Sequence, residues 1–144
     1  MYFMKSTYKK TRFKVKRPIR SFRDLEVYQT TSKLASEVMT KVAPLLEEKN
    51  CPIRNKLISC CLDIPTSLAV AHSRRFEKGD ELKIMEAIME ECNKIVVYLE
   101  QVRDIFVQDL DRVLCEDLIK RYTYVRRKIL NLYRAWMKFQ QEKA

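Results

Sequence analysis

A single glycine in 144 residues, with four prolines beside it, leaves almost no material for tight turns. Hairpins and meanders draw on glycine at positive φ, so composition favours an all-α class over a sheet-rich fold. Long helices joined by a few short connections need few such positions. One histidine, His72, and no C-x-x-C spacing leave no clustered metal ligands. A Gly-rich phosphate loop is also missing. No stretch approaches the ~18 consecutive apolar residues of a membrane span, and residues 1–23 lack the apolar run of about 7–15 residues that a secretory leader needs.

The cysteines, Cys51, Cys60, Cys61, Cys92 and Cys115, are odd in number. Vicinal Cys60 and Cys61 point to different azimuths of a helix and rarely bridge. All five are expected to be reduced, small core hydrophobes in a reducing compartment, which implies a cytoplasmic protein without a membrane segment.

What the chain has in excess is positive charge. The net charge is +10, and its distribution matters more than its total. Residues 1–23 hold nine basic and no acidic side chains; residues 24–110 carry a slight acidic excess; residues 111–144 hold nine basic and four acidic. The excess therefore sits at the two ends.

Residues 1–21 are expected to form a basic, flexible N-terminal arm. The run Lys5-Ser-Thr-Tyr-Lys-Lys-Thr-Arg-Phe-Lys-Val-Lys-Arg17 alternates base with polar or aromatic residues and stops at Pro18. It has no helical stripe, and its self-repulsion opposes compaction.

Residues 22–144 are expected to fold as an all-α, up-down-up-down antiparallel four-helix bundle, with helices at about 24–49, 52–77, 81–108 and 112–142. In the first, Ser21 is the expected N-cap with Asp24 closing a capping box. Its core face is Leu25, Tyr28, Ser32, Ala35, Met39, Val42 and Leu46, and Pro44 should kink or end it. The second places Ile53, Leu57, Cys60, Ile64, Leu68 and Ala71 inward, with Pro65 expected to bend it. Gly79 suits a C′ position and Asp80 the next N-cap. The third carries Met85, Met89, Cys92, Val96, Leu99, Val102 and Phe106 on one face. Asp111 is placed to cap the fourth, whose stripe Leu118, Tyr122, Val125, Ile129, Leu132, Trp136 and Phe139 steps by alternating fours and threes. Trp136 is expected to be buried within the bundle, or alternatively between subunits.

Two segments carry a resemblance to a known group. Phe22-Arg-Asp-Leu-Glu-Val-Tyr-Gln29 resembles the F-x-D-L-x-V-[WY]-Q opening of the four-helix-bundle proteins linked to 23S ribosomal RNA intervening sequences. Asp63-Ile-Pro-Thr-Ser-Leu-Ala-Val-Ala-His-Ser-Arg-Arg75 resembles their S-I-P-x-N-I-A-E-G-x-x-R segment, with Leu68 and Val70-Ala71 standing where the group has Asn and Glu-Gly. The same superfamily includes the Avd (accessory variability determinant) proteins of diversity-generating retroelements, and Ile129-Leu-Asn-Leu-Tyr-Arg-Ala-Trp-Met-Lys138 is similar to the Trp-bearing basic helix that ends that branch. The resemblance implies a basic pentamer that binds nucleic acid and assists a reverse transcriptase. The other branch implies a non-enzymatic protein-interaction scaffold.

The residues themselves offer three candidate surfaces for RNA or DNA. The arm contributes Lys9, Lys10, Arg12, Lys14, Lys16, Arg17 and Arg20, whose cations would neutralise phosphates while Tyr8 and Phe13 stack on bases; the alternative is a solvated tail. The fourth helix contributes Lys120, Arg127, Arg134 and Lys138 as a ridge, flanked by Arg121, Arg126 and Lys128. An ordinary solvated face mixes signs, and no acid lies between Lys120 and Lys138. Arg74 and Arg75 end the second helix, where cations also favour the helix dipole. Glu86, Glu90 and Glu91 read as a solvated face, since carboxylate di-metal bundles need Glu-x-x-His pairs that this chain lacks. His72 has no recognisable nucleophile or acid partner, so no enzymatic activity, metal or cofactor is expected.

Overall fold

The structure is a computed structural model, and it describes residues 18–143. Within that span the chain is all-helical: a 3-10 turn at Phe22–Asp24, then α1 (Glu26–Lys41), α2 (Ala43–Glu48), α3 (Ile53–Arg74), α4 (Glu81–Ile105) and α5 (Arg112–Lys143). Most of the expected arm, residues 1–17, lies outside the described residues.

The local signals act where side chains meet backbone. Ser21 Oγ accepts from Arg23 N at 3.2 Å, and Asp24 Oδ2 accepts from Ser21 N at 3.3 Å. This capping box closes the 3-10 turn rather than the long helix. Leu25 is extended (φ −72°, ψ 125°), and α1 starts only after it. Pro44 divides the expected first helix: it has no N–H to return to Thr40, the ladder breaks at Val42, and α2 follows as a short separate segment. Asn50 then takes φ 51°, and Cys51 N reaches back to Leu46 O at 2.9 Å, the left-handed stop that asparagine tolerates. By contrast α3 runs through the buried Pro65 as one continuous helix.

Gly79 has φ 70°, and both Lys78 N and Gly79 N donate to Arg74 O, at 3.0 and 2.7 Å. The helix therefore stops at Arg74 rather than 77, and α4 likewise stops at Ile105 rather than 108. Asp80 does not cap α4 as expected. Its carboxylate turns back to take Arg74 Nε at 2.9 Å and Nη2 at 2.8 Å. A two-point charged bond competes successfully with a single cap bond to a backbone amide. Asp111 does cap α5, accepting from Val113 N at 3.0 Å and Leu114 N at 3.2 Å.

The core lies among α1, α3, α4 and α5; α1 packs on α3 and α5, and α4 packs on the same two helices. On α3, α4 and α5 the buried positions follow the expected stripes, with Tyr122, Leu99 and Ile64 fully enclosed. Val96, Phe106 and Leu132 are only half-buried, and Phe139 is 48% exposed at the rim. The α1 face is rotated from the expected one. Val27, Thr31, Leu34 and Val38 are buried in place of Tyr28, Ser32 and Met39, and Met39 is 40% exposed. Val27, Leu34 and Val38 are apolar, and Thr31 joins them because its hydroxyl donates to Val27 O at 2.8 Å, which satisfies it locally and permits its burial.

All five cysteines are free, and four are buried. Burial pushes the thiols of Cys60 and Cys92 up to about 12, and those of Cys61 and Cys115 up to about 11. They stay protonated and pack as small apolar groups. Among the described residues no helix is long and apolar enough to cross a membrane.

Candidate nucleic-acid interface

At about 100° per residue, Lys120, Arg127, Arg134 and Lys138 fall on one narrow strip of α5. The buried Leu118, Tyr122, Val125, Ile129 and Trp136 fall on the opposite side, so core packing holds the strip outward. All four cations are exposed, and none makes an ion pair among the described residues. At 1.5 Å rise per residue, Lys120 and Lys138 stand about 27 Å apart along the axis.

Tyr124 shares the strip, 56% exposed, with the Lys128 amine 5.6 Å from its ring centroid. Composition drew attention to the bases and passed over this tyrosine, although the same wheel places it four residues after Lys120. Lys120, Arg121, Tyr124 and Arg127, with Asp117 at one end, line an open depression of about 490 Å³. An aromatic face beside the unpaired Lys120 and Arg127 is the arrangement that holds a base above its phosphate.

The flanking bases are engaged elsewhere. Arg121 forms a charged pair with Glu37 of α1 and a second bond to Asp117 Oδ2 at 3.1 Å. The Arg121 guanidinium holds the Glu37 carboxyl down at about 2, below its ordinary 4.5. Lys128 reaches Glu26 Oε1 at 3.4 Å. Arg126 is half-buried, with an Nε that has no hydrogen-bond partner among the described residues. Arg121 and Lys128 thus bind α5 to α1, and the ridge proper is Lys120, Arg127, Arg134 and Lys138.

The Glu37 pair has a pH signature. A carboxyl whose folded pKa is depressed adds stability that is complete above the unfolded value, here 4.5, and is lost as pH falls toward about 2. Chemical denaturation between pH 5 and pH 2 is expected to show that loss, with Glu37→Gln less stable at pH 6 and its stability flatter over the acid range. A variant that loses as much stability over that range as wild type would show that the pair contributes nothing.

At the end of α3 the two arginines part company. Arg74 is bound to Asp80. Arg75 stacks instead: its guanidinium lies 4.6 Å from the Trp136 centroid, 5.3 Å from Phe76 and 5.4 Å from Phe139. Burial pulls its pKa down, partly offset by Glu81. His72 sits against the same aromatics, 5.5 Å from Phe76 and 6.5 Å from Trp136, and burial followed by the Arg75 charge lowers its pKa. Arg20 is exposed; Lys9, Lys10, Arg12, Lys14, Lys16 and Arg17 lie outside the described residues. Among the described residues no three His, Cys, Asp or Glu side chains converge in a way that would hold a metal ion.

No family model matches the chain, and no curated protein or solved structure matches it either.

Proposed function

We propose that this chain is a non-enzymatic, oligomeric accessory protein that binds RNA or DNA by its phosphates, with low sequence specificity. One observation carries the reading: four exposed cations without carboxylate partners among the described residues, on a strip with no acid between Lys120 and Lys138. A ridge of this kind reads backbone charge rather than base edges. The basic arm adds eight positive side chains, and an oligomer repeats the whole field.

The proposed architecture beneath it is an up-down-up-down antiparallel four-helix bundle. It is supported by cross-helix pairs that run in opposite order: Glu26 with Lys128 and Glu37 with Arg121, then Glu86 with Tyr133 and Leu99 with Cys115. The resemblance of residues 22–29, 63–75 and 129–138 to the intervening-sequence and Avd proteins supports two further parts of the proposal, a pentamer and a reverse transcriptase as protein partner, and the free, mostly buried cysteines support a cytoplasmic setting.

A second reading, a protein-interaction scaffold, has its own support. Ile105, Val107 and Val113 are 58–75% exposed around the α4–α5 connection, an apolar corner of the sort that protein partners cover.

Binding of the full chain to structured RNA and to duplex DNA at low salt, with its solution mass recorded alongside, separates the readings. Binding by an assembly larger than the monomer is the expected result. Indifference to both nucleic acids would overturn it in favour of the scaffold.

A further inference from the structure

Where α3 finishes, α4 begins and α5 ends, Arg75, Gly79, Glu81, Phe139 and Gln140 line a cavity of about 260 Å³. That is slightly below the roughly 300 Å³ at which drug-sized pockets begin, so it suits one flat ring. Glu81 is only 2% exposed. Its Oε2 accepts from Gln140 Nε2 at 2.6 Å, and the same amide donates to Gly79 O at 3.2 Å. Its Oε1 is buried with no hydrogen-bond partner among the described residues. A buried carboxylate oxygen left without a donor is unfavourable and marks a place where an incoming N–H is strongly favoured.

Arg75 supplies the complementary group. Its side chain makes no ion pair with Glu81 and no hydrogen bond among the described residues; the guanidinium carbon lies over the rings of Trp136, Phe76 and Phe139. Its N–H groups remain donors in a fixed plane. Phe76, 71% exposed, and Phe139 give aromatic faces at the rim.

The cavity thus offers a buried acceptor, a planar donor and stacking surface. Among nucleobases, guanine answers this set: Oε1 has two lone pairs for two adjacent N–H donors, at N1 and N2, and the O6 acceptor lies on the same edge. Adenine and cytosine each bring one donor group beside an acceptor. Uracil would set a carbonyl against the carboxylate. We propose that this cavity takes one unpaired guanine base, with Glu81 Oε1 accepting from its Watson–Crick edge and Arg75 donating to O6. The inference rests on the nucleic-acid reading above, because Lys138, which ends the ridge, directly precedes Phe139 and Gln140 of the cavity lining.

Trp136 is the only tryptophan and lies under Arg75, so its emission reports on the cavity. The test titrates the full chain with guanosine, inosine and adenosine 5′-monophosphates to millimolar concentration. The three share one phosphate and differ in the base; inosine lacks the 2-amino group. Saturable quenching by the guanosine nucleotide, at least ten-fold weaker with the other two, is expected. Glu81→Gln and Phe139→Ala should each lose it while keeping the wild-type melting temperature. Absence of a saturable response, equal responses to the three, or full retention in both variants would overturn the proposal. RNA binding without a guanine response removes the cavity alone. A guanine response without RNA binding removes the ridge reading and leaves the cavity.

Discussion

Reversing Arg127, Arg134 and Lys138 to glutamate is expected to weaken binding to duplex DNA by at least roughly 500-fold at about 0.1 M salt. The figure follows from counterion release: each lost phosphate contact removes about 0.9 from the log–log salt slope, so three remove about 2.7. Repulsion by the new carboxylates adds to the loss. Stability should change little, since all three side chains are exposed and make no ion pair among the described residues. The control reverses Lys33, Lys56 and Lys83, exposed lysines of α1, α3 and α4. It changes the net charge equally and leaves the ridge intact. An equal loss in the control would show that bulk charge, not the ridge, governs binding. The Arg121→Ala variant should behave in the opposite way, losing stability through Glu37 more than affinity.

Trp136→Ala is expected to cost about 3–5 kcal/mol of folding stability, the range for large aromatic truncations in a core. Trp136 is 4% exposed within a single chain. Its removal opens a cavity between α3 and α5 and takes away the face on which the Arg75 guanidinium lies. Urea denaturation reads the loss as a lower midpoint with an unchanged slope. Because the burial is intrachain, the loss should be the same over a hundred-fold range of protein concentration. A loss that appears only at concentrations where the chain associates would assign Trp136 to a subunit interface instead.

The fold class was legible because α3, α4 and α5 repeat apolar residues at helical spacing over six to nine turns, and Gly79, Pro44 and Asp111 punctuate them. Two local readings went astray for a shared physical reason: a polar side chain had a choice of partner. Asp80 preferred the Arg74 guanidinium to a backbone amide, and Thr31 turned to Val27 O and entered the core. Neither preference is visible in periodicity. The ridge was legible because it lies on one helix, where spacing alone sets azimuth. The pairing of Arg121 with Glu37 and the meeting of Arg75, Glu81 and Gln140 were not, because each joins residues from different helices. Glu81 is the clearest case: a helical wheel sets it at the azimuth of Leu99 on the core face of α4, but the Gln140 amide that meets it there belongs to another helix.

The most direct test of the phosphate ridge is the salt dependence of binding by the full chain to a heteropolymeric duplex, from about 0.05 to 0.3 M. Four ridge contacts alone set a slope of about −3.6 in log affinity against log salt, and the arm steepens it. A slope of that size or steeper, shared by sequences of different composition, is the expected result. A slope near zero, or no binding at the lowest salt, would contradict a phosphate-reading function for this chain.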